Sequence, residues 1–279
     1  MAHVVGGITT SHIPAIGNAI AKHLEQDPYW KPFFDGFPPV RKWLAEVKPD
    51  VAVMIYNDHG LNFFLDKMPT FAVGTAEQLI NEDEGWGLPT LAPFSGDPKL
   101  AWHIVESLVE DEFDITTCQE MKVDHAYAVP MQLLFQENAA KMKTVPVCIN
   151  TVQHPLPSPA RCYKLGQAIG RAIESYPEDI KVVVVGTGGL SHQLDGERAG
   201  FINKSFDLMC MEKLVDDPES LTHMSARQLV REAGSQGAEF LMWLAMRGAL
   251  TGKVTQLHSN YHIPISNTAA GMMLLKNAA

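Results

Sequence analysis

KVVVVGTGG, residues 181–189, decides the fold class. Four valines in a row, closed by Gly186-Thr187-Gly188-Gly189, suit a strand covered on both faces. The same pattern recurs upstream. Val51–Tyr56 (VAVMIY) runs into Asn57-Asp58-His59-Gly60, and Val4-Val5 passes through Gly6-Gly7 into Ile8, ending at Ser11. Residues 70–73 stop at Gly74, and residues 145–152 stop near His154-Pro155. Helices between these runs have readable starts. Asp97-Pro98 sets an N-cap before a proline at N1, with Leu100, Ile104 and Leu108 on one face. Ser158-Pro159 repeats the device before Leu165, Ile169 and Ile173. Ser225 with Gln228 fits a capping box, and Ser235 is expected to cap the helix that carries Glu239. Strands alternating with helices predict a three-layer α/β fold, one domain over residues 1–279. Residues 33–40 and 81–98 read as long loops, which in a compact domain often serve as lids or interfaces.

Composition removes several function classes. A formal charge of −10 leaves no basic face for nucleic acid and argues against anionic membrane surfaces. The N-terminus lacks a basic region followed by a long apolar one. No apolar run approaches the roughly 20 residues of a membrane helix. The four cysteines, Cys118, Cys148, Cys162 and Cys210, are scattered without a CxxC. They read as small buried hydrophobes in a reducing cytoplasm rather than a zinc–thiolate site.

Glu239 is the only charged residue in residues 238–246 (AEFLMWLAM). An unpaired carboxylate on so apolar a helix costs several kcal/mol, so a partner is expected. The helix dipole alone would favour a glutamate in a first turn, but it does not explain the apolar neighbours. His12 and His59 each follow a strand-like run. Either could be a hydrogen-bonded turn residue. Ligands of α/β sheets bind outside the carboxyl ends of strands, so two histidines there strengthen each other. Two imidazoles and one carboxylate on one side of a divalent iron leave positions open for substrate and O₂. His192 lies in GTGGLSHQLDG, and its neighbours Ser191 and Asp195 raise the idea of a hydrolase triad. Adjacent Ser and His side chains rarely face each other, so general acid–base work is the better use of His192. His125 in VDHAY has a similar turn context. Ser266 and Asn267 either cap a helix over residues 269–275 or hold a substrate anion.

Taken together, the segments resemble the class III extradiol ring-cleavage dioxygenase superfamily, in particular its protocatechuate 4,5-dioxygenase β chains and gallate dioxygenases. The resemblance runs almost end to end. It rests on GITTSHIPAIG, VAVMIYNDH, PTFAVGTAE, DEGWG, MKVDHAYAVP, VVVGTGGLSHQLDGERAGFINKSFD, REAGSQGAEFLMWLAMRGAL and YHIPISNTAAG. It implies a mixed sheet between helical layers and Fe(II) on His12, His59 and Glu239. It makes His192 the catalytic base, His125 a second active-site histidine, and Ser266 and Asn267 contacts to the substrate's carboxylate side. The implied reaction is O₂-dependent meta cleavage of a catechol-type acid, protocatechuate first, with gallate and 3-O-methylgallate as alternatives. A zinc hydrolase would share the ligand set; a catalytically silent binding module is a further alternative, and intact His12, His59, Glu239 and His192 speak against it. The departures Ala126, Tyr127, Ile265 and Gly60-Leu61-Asn62 are expected near the pocket wall. Because the chain ends at Ala279, soon after residues 268–275, the resemblance implies a separate small helical α subunit, or a homo-oligomer, closing the site.

Overall fold

A computed structural model describes residues 1–264 and 267–277. Its strands are β1 (His3–Thr10), β2 (Val51–Tyr56), β3 (Phe71–Gly74), β4 (Gln78–Asn81), β5 (Phe94–Gly96), β6 (Thr116–Cys118), β7 (Lys122–Val123), β8 (Lys143–Ile149), β9 (Lys181–Thr187), β10 (Val254–His262) and β11 (Ala270–Asn277). They form one mixed sheet in the order β10-β11-β1-β9-β2-β8-β5-β4-β7, with β3 between β8 and β6 on a side branch. Its centre, β1-β9-β2-β8, is wholly parallel, so these strands end at the same edge of the sheet. The antiparallel pairs flank it: β11 lies between β1 and β10, β3 against β8, and β4 against β5.

The valine runs form central strands because both of their faces are buried. Val51, Val53 and Ile55 point into one core, and Ala52, Met54 and Tyr56 into the other. Val182 and Val184 alternate with Val183 and Val185 in the same way, as the two-residue period of a strand requires. Helices Pro98–Glu110, Pro159–Ser175 and Phe240–Gly248 cover the first face. Helices Pro14–Ala21, Phe37–Val47 and His125–Phe135 cover the second. Every residue of Phe240–Gly248 is buried. Arg247, the one charged residue in it, donates to the carbonyls of Leu214 (2.7 Å), Leu250 (3.2 Å) and Gly252 (2.9 Å). That helix crosses Pro159–Ser175 at Gly166, where a Cβ would run into the Ala245 carbonyl.

The caps at Asp97, Ser158 and Ser225 accept from the backbone N–H three residues on, as their sequence predicts. Three expectations change. Residues 33–40 are not a loop, because Lys31–Phe34 and Phe37–Val47 are helical and pack Phe33, Phe34 and Phe37 into the core. Residues 269–275 are not a helix but most of β11, a central strand hydrogen-bonded on both sides. Its Ala, Met and Leu favour helices locally, and burial between two strands overrides that preference. Ser235 makes no cap hydrogen bond, and Glu239 closes a 3₁₀ turn, Gln236–Glu239, just ahead of the α-helix. Among the described residues no helix is long and apolar enough to cross a membrane.

Candidate active site

The carboxyl ends of β1, β2 and β9 deliver His12, His59 and His192 to one edge of the sheet, and Glu239 arrives from the buried helical turn opposite. His12 Nε2 lies 3.3 Å from Glu239 Oε2, and His59 Nε2 lies 3.5 Å from Glu239 Oε1. His192 Nε2 stands 3.9 Å from Glu239 Oε2. The rings of His59 and His125 are stacked with centroids 4.3 Å apart, and His12 meets both edge-on. Five residues singled out in the sequence therefore share one cluster. They line a cavity of about 550 Å³ together with Ile13, Pro14, Trp86, Val152, Leu194 and Asn267. Asn267 lies on the segment that zips onto the His192 loop, through a bridge between Thr268 and His192 and a bond from Ala269 N to Ser191 O. Ser266 and Ile265 lie outside the described residues.

Hydrogen bonds at Nδ1 orient each histidine ring, and for His192 and His59, whose Nδ1 partners only accept, they leave Nε2 toward the cavity. His192 Nδ1 sits 3.0 Å from the Leu190 carbonyl. A carbonyl only accepts, so Nδ1 carries hydrogen and the neutral ring presents a lone pair at Nε2. Burial pushes the His192 pKa down, against the pull of Glu239, which keeps the ring neutral near pH 7. His59 Nδ1 lies 3.1 Å from the carboxylate of Asp124, so its Nε2 faces Glu239. Burial lowers the His59 pKa, but Asp124 and then Glu239 outweigh it and raise it to about 10. His12 Nδ1 meets the Thr187 hydroxyl at 3.0 Å, while its buried Nε2 has no hydrogen-bond partner. His125 Nδ1 is held by Glu84, and burial followed by His59 and His12 drives its pKa well below the usual value.

Glu239 is buried, which alone would raise its pKa. The combined pull of His12, His59 and His192 wins and holds it well below the carboxylate range. Gly189 N donates to its Oε2 at 2.7 Å, and Asn57 Nδ2 to its Oε1 at 3.4 Å. Gly189 has to be glycine, since a Cβ there would strike the His192 ring.

The donor set fits a divalent transition metal. Bonds of about 2.1 Å separate neighbouring ligand atoms by about 3 Å, close to the spacing between Glu239 and the two histidines. The orphaned, buried His12 Nε2 gains a partner in such a cation. His125 also comes within reach, since one nitrogen each of His12, His59 and His125 lie within 4.8 Å of one another. Glu239, an anion standing beside both His12 and His59, is the third donor that brings compensating charge.

Several contributors escaped the sequence reading. Asp124, Thr187 and Asn57 orient the site histidines and glutamate, and Glu84 grips His125. Asp124 and Glu84 stand in VDHAY and DEGWG, but each acts on a histidine far away in sequence, His59 and His125 respectively, so no local signal marked them. The expected wall residues Ala126 and Tyr127 are instead fully buried in the core, with the Tyr127 hydroxyl 2.5 Å from Thr144 Oγ1. Asn62 does not line the cavity either. Its amide binds Asp58 Oδ1 and the Lys122 carbonyl and pins the loop after β2.

Residues 6–271 match the family described as the catalytic LigB subunit of aromatic ring-opening dioxygenase. The gallate dioxygenase of Pseudomonas putida is 43% identical over 196 residues, covering 70% of this chain and 57% of that protein. A 2,3-dihydroxyphenylpropionate/2,3-dihydroxicinnamic acid 1,2-dioxygenase of Rhodococcus jostii is 31% identical over 231 residues, 81% of this chain and 68% of that one. The chain thus spans little more than half the length of the gallate dioxygenase it matches. A crystal structure of an uncharacterized protein from Escherichia coli K12 superposes with a TM-score of 0.59 over 98% of this chain and 100% of that one. At 16% identity it speaks for the fold alone.

Proposed function

We propose a reaction and a set of residue roles from one premise: the chain belongs to the family of the catalytic LigB subunit of aromatic ring-opening dioxygenases. The reaction is cleavage of an aromatic ring beside two vicinal hydroxyls by O₂, with both oxygen atoms entering the product. The substrate is a catechol-type aromatic acid. Similarity to a gallate dioxygenase moves gallate ahead of protocatechuate as the first candidate, with 3-O-methylgallate third. The observation that carries the reading is the convergence of His12, His59 and Glu239 beside a neutral His192 in one cavity.

His12, His59 and Glu239 would hold Fe(II), which when bound supplies O₂ activation and lowers the pKa of a coordinated phenol. His192 takes a phenolic proton at Nε2, the nitrogen that its bond to Leu190 leaves free. His125, tethered through Nδ1 to Glu84, turns its other nitrogen to a substrate oxygen. Ile13, Val152 and Leu194 exclude water from the ring. Asn267 and Ser266 meet the carboxylate side of the substrate. We read residues 1–279 as one catalytic domain of the cytoplasm, a compartment that four unpaired thiols suit. Trp86, Val152 and Leu194 are 54%, 53% and 49% exposed at the cavity, which supports a covering chain, either a small helical subunit or a second copy.

The test is O₂ uptake by metal-stripped protein reloaded anaerobically with Fe(II) or with Zn(II), and given gallate, protocatechuate or 3-O-methylgallate. Stoichiometric uptake with Fe(II) alone is expected, with a coloured ring-opened product. Hydrolytic activity with Zn(II), and no O₂ uptake with Fe(II) even after the covering chain is added, would overturn the reading.

A further inference from the structure

His59 is the site histidine that packing holds least. Its side chain is 21% exposed, against 2% for His12, 3% for His125 and 5% for His192. It stands in the turn after β2, followed by Gly60 at φ +101°. A ring in such a position keeps its direction only if hydrogen bonds hold it.

One carboxylate supplies them. Asp124 is fully buried. Its Oδ2 accepts from the His59 backbone N–H at 2.7 Å and lies 3.1 Å from His59 Nδ1. The first contact fixes the main chain of His59, and the second fixes the ring and its tautomer. The other oxygen, Oδ1, accepts from Ala126 N at 2.9 Å, which makes Asp124 the N-cap of helix His125–Phe135. The first residue of that helix is His125, whose ring stacks on His59. The same side chain therefore orients one histidine and starts the helix that presents the other. His12 is held differently, by deep burial and the neutral Thr187 hydroxyl. An acceptor on the far nitrogen of a metal-bound imidazole fixes its orientation and raises its basicity, and losing it typically costs 10–100-fold in metal affinity.

We propose that Asp124 is the positioning residue of the cation site, directing His59 Nε2 toward Glu239 and holding the His59–His125 stack in register. The inference rests on the reading of His59 as a metal ligand.

The test uses the full chain, stripped of metal, with Co(II) as the probe. Asp124→Ser, Asp124→Asn and His59→Ala are compared with wild type. Serine and asparagine cap helices about as well as aspartate, so both Asp124 variants keep the helix start while losing the anionic acceptor. Three readouts are taken: Co(II) affinity by chelator competition, the Co(II) visible spectrum, and the thermal midpoint of the metal-free protein. Asp124→Ser is expected to weaken Co(II) binding about 10- to 100-fold, with an altered spectrum and a lowered metal-free midpoint, because the His59 backbone N–H loses its acceptor. Asp124→Asn, which keeps an oxygen acceptor, should fall between it and wild type. Wild-type affinity and spectrum in both Asp124 variants, with binding lost in His59→Ala, would reduce Asp124 to a helix cap and overturn the inference alone. Wild-type binding in His59→Ala would instead remove the ligand reading beneath it.

Discussion

The two walls of the cavity are built differently. The wall of Glu239, His12 and His192 is part of the core. Its three side chains are nearly sealed, and Glu239 is gripped by the backbone of Gly189 and leads into a helix buried on every side. Facing it is the wall of His59, His125 and Trp86, in which His59 and Trp86 hang from turns while the buried His125 opens a helix. There Asp83 gathers the N–H groups of Trp86, Gly87 and Leu88 at 2.9–3.3 Å, Glu84 reaches His125, and Trp86 is left half-exposed. The contrast separates two tasks. Donors with little freedom suit cation binding, where small displacements are costly. Trp86, hung on side-chain-to-backbone bonds, can be altered without unfolding the protein, which suits substrate selection, whereas His59 on the same wall needs Asp124 to act as a donor.

The sharpest way to break this division is Glu239→Ala. It should abolish stoichiometric Fe(II) binding and turnover, a loss beyond the ~100-fold typical of an outer-sphere partner. Metal analysis after gel filtration checks it, and a variant that kept one Fe(II) per chain would show that His125 completes the site instead. His192→Phe is next. It should retain metal while kcat falls by about 10²–10⁴, the usual worth of a general base; normal turnover in single-turnover kinetics would remove that role. Trp86→Leu tests the suspended wall. KM should rise about tenfold with kcat little changed, in line with the 1–3 kcal/mol that a few pocket atoms can supply. A collapse of kcat would instead make the wall part of the chemistry.

The smallest effect concerns what stiffens the sealed wall. Asp207 accepts from Ser191 N at 2.8 Å, Ser191 Oγ at 2.7 Å and the Tyr261 hydroxyl at 2.9 Å, and so braces the residue before His192. Burial raises its pKa against these bonds. A carboxyl raised in the folded state favours folding below its unfolded pKa, and that contribution is lost as pH rises through the folded value. Asp207→Asn cannot ionise. Its thermal midpoint relative to wild type should therefore improve as pH rises from about 4, the unfolded aspartate pKa, toward neutrality. A pH-independent difference would contradict the burial argument.

The sealed wall was also the more legible one in the sequence. A lone carboxylate in AEFLMWLAM and histidines after valine-rich runs carry their own signal, because burial makes unpaired charge expensive. Strand order left His12, His59 and His192 at one sheet edge, and that followed from recognising β1, β2 and β9. The suspended wall was harder to read. Glu84 and Asp124 matter through partners 41 and 65 residues away, which no local pattern announces. Tyr127 looked like a pocket residue because it lies two positions after His125, yet helical rotation carries it into the core against Tyr56 and Phe94. Residues 269–275 misled for a related reason, since only the pairing with β1 and β10 makes them a strand.

That last pairing also sets a schedule. Ser11, the residue before His12, exchanges two bonds with Gly271 across a separation of 260 residues: Ser11 N donates to Gly271 O, and Gly271 N donates to Ser11 Oγ. During synthesis, His12, the first-made of the clustered histidines, therefore waits for the segment around Gly271 before its surroundings exist. Contacts this distant in sequence form late in folding. An ion arriving during synthesis would meet only dispersed imidazoles, so selective loading would follow completion of the sheet. A cation held here would in that sense be a seal on a finished fold rather than a nucleus for it.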